Sequence, residues 1–155
     1  MKGIPGPVDW GLLALRLVLG GSFVVHGVQK LFGALGGAGM EAFAGSVARL
    51  GLPGPAHLWA YLAAASELAG GLAVFFGVLT EFGALAIAVV MIVAIWKVTG
   101  PHGFSVTHNG YEYNLLILAA CAALILAGPG WLALWDPFRF RRGARSGSGW
   151  AAAEG

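Results

Sequence analysis

Residues 10–28 read "WGLLALRLVLGGSFVVHGV", an apolar run of the length that a lipid bilayer demands. A helix needs about 20 mainly apolar residues to cross the hydrocarbon core, within a range of about 17–25. The composition agrees, because 58% of the 155 residues are hydrophobic and only 10% are charged. Typical globular proteins contain about 45–50% apolar and about 25% charged residues. The stretch therefore predicts a membrane-spanning helix and argues against an ordinary soluble domain.

Three further apolar runs follow at 57–79, 82–96 and 113–127. The first of these has the length of a full span, and the other two reach that length when neighbouring interfacial residues are included. The pattern predicts an all-α fold, an integral membrane bundle of four transmembrane helices. Gly70 and Gly71 lie inside the second run, where small residues allow neighbouring helices to approach closely.

The segment between the first two spans, residues 36–55, is too polar and too rich in glycine to cross a membrane. Its Met40, Phe43, Val47 and Leu50 recur at helical spacing. That spacing predicts a short amphipathic helix that lies in the membrane interface.

We expect one membrane domain over residues 1–138, followed by a tail at 139–155 that is basic and then rich in Gly, Ser and Ala. Such a composition predicts disorder. Four arginines open the tail, so the C-terminus should be cytoplasmic, and an even number of spans returns the N-terminus to the same side. The rest of the chain offers no basic face, so we expect no nucleic-acid partner.

Two ionisable residues, Arg16 and Glu67, fall well inside the first two spans. A charge at the centre of a span costs about 2.5–3.5 kcal/mol on insertion scales and usually faces the bundle interior. Counting 1.5 Å per residue along antiparallel helices predicts that Arg16 contacts Glu67 directly or through a water. The pair would either neutralise two charges and fix helix register, or form a polar pocket in which a carboxyl group carries protons.

His26 and Lys30 lie one helical turn apart near the outer end of the first span, with Gly27 beside the histidine. For Lys30 we expect a side chain that reaches up to the lipid headgroups and marks the membrane boundary. For His26 two alternatives stay open, a wall residue of the polar pocket or a structural histidine. Gly27 should allow close approach of a neighbouring helix.

A second polar cluster at 97–116 contains Glu112 and Asn114 and should form an outer mouth over the bundle. These two positions differ by 200° on a helix, so only one of them faces inward. His102 and His108 lie nearby, but their spacing does not match a zinc motif, and we expect no metal site.

Recognisable cofactor motifs are absent from the sequence. There is no Gly-rich dinucleotide motif, no haem attachment motif and no cysteine cluster. The single cysteine, Cys121, cannot form an intrachain disulfide and should be a small buried core residue. Any source of electrons must then be a partner, or the quinone itself if one is bound.

Three stretches resemble the DoxX family of small four-helix membrane proteins: "HGVQKLFG" (26–33), "ELAGGLAVFFGVLTEFGA" (67–84) and "NGYEYNLLILAACAALILAGPGWLALWD" (109–136). The resemblance implies a four-helix bundle in the plasma membrane. It also implies an association with redox chemistry, because the family takes its name from a subunit of a thiosulfate:quinone oxidoreductase. No specific reaction carries over to this chain.

The leading hypothesis is a membrane subunit of a quinone-linked oxidoreductase or oxidative-stress system. It would bind a quinone or a similar lipophilic molecule and work with a soluble or membrane redox partner within the bilayer. A homo-oligomer is left open as a further association. The alternatives are a non-catalytic assembly or anchoring protein for a redox partner and, third, a small transporter or proton pathway. Whether the chain is itself an enzyme stays open. The candidate ligand-binding residues are Arg16, His26, Lys30, Glu67, Glu112 and Asn114, and Gly27, Gly70 and Gly71 are the candidate structural residues.

Overall fold

The computed structural model describes residues 4–137, so the tail predicted at 139–155 lies outside the described residues. This part of the chain is all-helical, with no β-strand and one isolated bridge between Val78 and Trp135. Its α-helices are α1 (Pro7–Phe32), α2 (Gly39–Ala48), α3 (Ala56–Phe76), α4 (Thr80–Ala94) and α5 (Glu112–Ala127). The expectation of an all-α chain is confirmed.

The ends of the first helix follow from its sequence. Pro7 occupies the first helical turn, where its missing N–H costs nothing. The Asp9 carboxylate accepts a hydrogen bond of 2.9 Å from the backbone N–H of Gly6. The helix ends at Gly33, whose φ of 66° lies in the left-handed region that glycine adopts without strain. These signals make α1 a continuous helix of 26 residues.

Three helical stretches are long and apolar enough to cross a membrane: Pro7–Phe32, Ala56–Phe76 and Thr80–His102. The third consists of α4 continued by a π-helical turn at Ile95–Thr99 and a 3₁₀ turn at Gly100–His102. The fourth apolar run forms α5, which has 16 residues and is about 24 Å long. The helix α5 is therefore shorter than a typical membrane span.

Glycines bring α1 and α3 into backbone contact. A Cβ added at Gly20 would lie 2.5 Å from the backbone nitrogen of Phe75, and one at Gly71 would lie 2.7 Å from that of Val24. A Cβ added at Gly27 would lie 2.6 Å from the Cβ of Leu68. Neither helix can slide along the other without losing these close approaches, so the glycines fix the axial register of the antiparallel pair.

The predicted short helix between the first two spans is α2, and it packs through Met40, Ala44 and Val47. These side chains form a small apolar cluster with residues of α3. A larger cluster joins α1, α3, α4 and α5. Its fully buried members include Cys121, as expected for a small core residue.

Candidate functional site: an ion pair beside an apolar cavity

Arg16 is buried in α1, and its guanidinium group caps the C-terminal end of α3. Its Nε donates to the carbonyl oxygen of Val74 at 3.0 Å and its Nη2 to that of Phe75 at 3.3 Å. Its Nη1 donates to the carbonyl oxygen of Pro129 at 2.9 Å. The last carbonyl groups of a helix lack partners within the helix and carry partial negative charge. Arg16 therefore stabilises a junction of three chain segments.

The segment that follows α5 is tied to the same end of the molecule. Asp9 accepts a hydrogen bond of 2.7 Å from the backbone N–H of Trp131. The backbone N–H of Trp135 donates to the carbonyl oxygen of Gly77 at 3.1 Å. The chain after α5 thus returns to the start of α1 and the end of α3, and this end of the bundle is closed.

The predicted contact between Arg16 and Glu67 is wrong. The expectation placed Glu67 level with residue 20, whereas the contact of Gly27 with Leu68 places it about eight residues, or about 12 Å, further along α1. The error arises because α1 continues to Phe32 and α3 begins beyond that point. Arg16 and Glu67 consequently lie at opposite ends of the α1–α3 pair.

Glu67 pairs instead with Lys30. The Nζ atom of Lys30 lies 2.5 Å from both carboxylate oxygens of Glu67. The side chain of Glu67 is 2% exposed and that of Lys30 is 28% exposed. The same ammonium group lies 4.8 Å from the centroid of the Phe43 ring, within reach of a cation–π interaction. The expectation that Lys30 extends away to the headgroups is therefore wrong, because its charge is neutralised inside the fold.

The ion pair forms part of the wall of a cavity of about 550 Å³ between α2, α3 and α4. Its remaining lining side chains, apart from Ser66, are apolar: aliphatic, aromatic or, for Met91, a thioether. This volume lies within the range of about 300–1,000 Å³ that is usual for small-molecule sites. An apolar cavity with few convergent polar groups is the usual form of such a site.

The cavity opens on the apolar outer surface of the helices. Three of its lining residues, Leu62, Val89 and Val98, are 45–52% exposed and lie on α3, on α4 and in the π-helical turn. Trp59 also lines it, and its indole N–H donates to the carbonyl oxygen of Pro53 at 2.7 Å. The cavity that contacts the ion pair is therefore accessible from the apolar outer face of these helices.

His26 does not line this cavity. Its side chain is exposed and packs edge-on against Phe23, with ring centroids 6.0 Å apart. The inward face of α1 carries Phe23, Gly27 and Lys30, whereas His26 is 100° away from Gly27. The expected pocket of Arg16, His26 and Glu67 is thus not formed, because each of the three residues points to a different place.

Glu112 and Asn114 point in different directions, as their separation on a helix requires. Glu112 accepts a hydrogen bond of 3.1 Å from the backbone N–H of Val106 and holds the loop before α5. Asn114 is buried between α5 and α4, where it contacts Thr99 and Met91. Neither residue lines the cavity, although Met91 does. Glu112 therefore has no part in the cavity, and Asn114 lies directly behind its wall.

The two histidines of the loop before α5, His102 and His108, contact neighbouring groups of the chain. The Nδ1 of His102 donates to the carbonyl oxygen of Val98 at 2.9 Å, and the Nδ1 of His108 lies 3.3 Å from the hydroxyl of Thr107. Within residues 4–137, no group of three His, Cys, Asp or Glu side chains is arranged to hold a metal ion.

The amino-acid sequence of this chain matches a known protein family. The family profile described as DoxX matches residues 11–100. The chain belongs to the DoxX family. A Bacillus subtilis protein named "Putative oxidoreductase CatD" is 38% identical over 138 residues, which cover 89% of this chain and 92% of that protein. An "Uncharacterized protein" of Haemophilus influenzae is 33% identical over 137 residues, 86% of this chain and 85% of that protein. No solved structure matches the chain.

The DoxX profile spans every residue that lines the cavity, since these lie between Lys30 and Val98. Within the stretch "HGVQKLFG", Gly27 contacts Leu68 and Lys30 binds Glu67. Gln29 donates to the carbonyl oxygen of Leu35 at 3.0 Å and so holds the turn after α1. Family membership and the three long apolar helices mark the chain as a membrane protein.

The apolar lining of the cavity and the pairing of Glu67 with Lys30 were not predicted from the sequence. The relevant pattern was present: Gly20 and Gly27 lie seven residues apart and share one face of α1. Matching that face to Gly71 would have set the register and brought Lys30 to Glu67. The cavity residues themselves, such as Met91, carry no distinguishing pattern because they read as ordinary apolar helix.

Proposed function

We propose that this DoxX protein is the membrane subunit of a redox system and that its cavity binds a quinone or a similar lipophilic ring beside Lys30 and Glu67. The observation that carries the proposal is a buried ion pair at the wall of an otherwise apolar cavity that opens sideways. A ring with a hydrocarbon tail fits such a site, because the tail can remain in the lipid while the ring oxygens meet the charges. The name of the Bacillus subtilis relative supports an association with oxidoreductase chemistry.

The chemistry of the pair suits a ring that gains protons. Reduction of a quinone takes up two electrons and two protons, and the protons add to the ring oxygens. In the ion pair the proton is held by the ammonium group of Lys30, which can donate a hydrogen bond or a proton to one such oxygen. The protons consumed are replaced from solvent through the partly exposed Lys30 side chain. The electrons must come from a partner protein or from a quinol, since the sequence has no flavin, haem or iron–sulfur motif.

The proposed membrane arrangement has four spans, with α5 as the short one. Lipid can accommodate a helix of this length by local thinning at modest cost. In this arrangement α2 lies at the outer interface, and both termini face the cytoplasm because the arginines of the C-terminal segment follow the positive-inside rule. The membrane we propose is the plasma membrane, and the cavity then lies near its outer face.

A second candidate function is an anchor for a redox partner, without a ligand of its own. It is favoured by the observation that both buried charges already have partners within the chain: Arg16 binds three carbonyl groups and Glu67 binds Lys30. On this view the polar residues hold the helices together and the cavity is filled by lipid tails.

Purification in mild detergent, followed by extraction and quantification of bound quinone, tests the proposal. The test variant is K30M/E67Q, since exchanging both members of a buried pair for neutral groups is often tolerated by the fold. We expect wild-type protein to retain quinone. The bound quinone content of the double variant should be lower by about tenfold or more, because hydrogen bonds to charged groups are lost. R49Q, which changes an exposed arginine outside the cavity, is the matched control.

Equal quinone content in wild type and K30M/E67Q would overturn the ligand proposal, and so would its absence from wild-type protein. If partner chains co-purify with both proteins while quinone is absent from both, the anchoring function is the correct one.

A further inference from the structure

Directly behind the cavity wall, Asn114 of α5 forms a buried hydrogen-bond network with two residues of the preceding helical stretch. Its side chain is 8% exposed. Its Oδ1 accepts a hydrogen bond of 3.2 Å from the hydroxyl of Thr99, and its Nδ2 donates to the sulfur of Met91 at 3.3 Å. In this arrangement the amide oxygen of Asn114 faces the Thr99 hydroxyl, and its NH₂ group faces Met91.

The bond to sulfur is a poor one for a buried amide. A thioether is a weak acceptor, whereas buried amide groups normally bind oxygen. The Asn114 NH₂ group has two hydrogens, and the sulfur of Met91 is its one acceptor among the described residues. A carbonyl oxygen that came within reach would therefore replace the sulfur with a gain in free energy.

Met91 links this donor to the cavity, because its side chain binds the amide and also lines the cavity. Met91, Ala94 and Val98 lie on one face of the helix and all three line the cavity. Methionine has three rotatable bonds and changes its conformation at low cost. Rotation of its side chain would open a direct path from the cavity to the Asn114 amide.

The backbone next to Met91 is also unusual. The helix widens into a π-helical turn at Ile95–Thr99, which brings Thr99 to Asn114. Single π-helical turns within α-helices occur frequently at functional sites. The presence of such a turn at the wall of the cavity supports a role for the hydrogen bonds of Asn114 beyond packing.

We propose that Asn114 is a second polar contact of the ligand and that Met91 is the gate in front of it. The inference rests on the proposed function and deepens it. The ligand is a ring with two carbonyl oxygens, one bound by Lys30 of α1 and the other by the NH₂ group of Asn114 of α5. A ligand with one polar end, such as a fatty acid, would use Lys30 alone and leave Met91 in place.

The test is equilibrium binding of a radiolabelled short-chain alkyl-1,4-benzoquinone to the full chain in nanodiscs, with a fatty acid of equal chain length as the second probe. N114L should weaken quinone binding about tenfold, the usual effect of losing one hydrogen bond, and leave fatty-acid binding unchanged.

M91L removes the sulfur and frees the amide, so it should tighten quinone binding about threefold. M40L makes the same exchange at a buried methionine outside the cavity and should change neither affinity.

The outcomes separate the two levels of the proposal. If wild-type protein binds no quinone, the proposed function fails. If wild-type protein binds quinone and K30M/E67Q does not, but N114L binds as tightly as wild type, the function stands and the role of Asn114 is disproved. Should N114L fail to fold, M91L decides alone, and an affinity equal to or weaker than that of wild type overturns the inference.

Discussion

Arg16 and Glu67, each 2% exposed, lie at opposite ends of the α1–α3 pair and bind different partners. Arg16 neutralises the carbonyl end of a helix, and Glu67 neutralises a lysine. The two charges are therefore independent of each other, and substitutions at one end should not affect the other. This separation divides the molecule into a closed end that contributes stability and an end that holds the cavity.

The Lys30–Glu67 pair should show strong coupling in a double-mutant cycle. Loss of one partner leaves a charge in a nearly dry site, which costs about 3–5 kcal/mol for a fully buried pair. K30M should approach that value because Glu67 is the more deeply buried partner, and E67Q should cost less because Lys30 retains contact with its surroundings. The measurement is unfolding free energy in detergent. Additive effects in K30M/E67Q would show that the pair does not interact.

Arg16 should not tolerate replacement by lysine. An ammonium group cannot reach three carbonyl oxygens on two segments as the planar guanidinium does. We expect R16K to lower the free energy of unfolding by about 3 kcal/mol, because hydrogen bonds to charged groups contribute about 1.5–3 kcal/mol each. R49K at an exposed site is the control. Quinone affinity of the folded fraction of R16K should equal that of wild type, and a change in it would contradict the independence of the two ends.

Gly20 and Gly11 offer a matched pair on α1. A Cβ at Gly20 would collide with the backbone of α3, whereas one at Gly11 meets nothing within 4 Å. G20A should destabilise the protein by about 1–3 kcal/mol through overpacking. G11A should be neutral or stabilising by up to about 1 kcal/mol, since alanine favours the helix. Thermal unfolding of the two variants under the same conditions checks the prediction, and equal effects would mean that the helices are not in backbone contact.

His26 should be dispensable for ligand binding. H26A removes an exposed ring whose described contact is with Phe23, so stability should change by no more than about 0.5 kcal/mol. Quinone content after purification should equal that of wild type. A loss as large as that in K30M/E67Q would restore His26 to the site and refute the placement described above.

The helical class, three of the four predicted spans and the short helix after α1 could be predicted from the sequence, because each depends on local patterns of hydrophobicity and glycine. The fourth predicted span is the shorter helix α5. The partners of the charges depended instead on the axial register of two helices separated in the chain by a loop and α2. An error of about 12 Å in that register was enough to pair Glu67 with Arg16 instead of Lys30. The prediction that His26 lines the pocket was wrong for a similar reason, since a rotation of 100° about the helix axis separates an inward residue from an outward one.

The hydrogen bonds of Arg16 form at different stages of the synthesis of the chain. Its acceptors at Val74 and Pro129 lie 58 and 113 residues further along the chain. During synthesis the first helix therefore carries an unsatisfied guanidinium group until α3 has been added. The last of its bonds forms only when the segment after α5 has emerged from the ribosome. A chain that ends before Pro129 lacks one of the three acceptors of the Arg16 guanidinium group. The closed end of the bundle is therefore complete only in chains that extend to this residue.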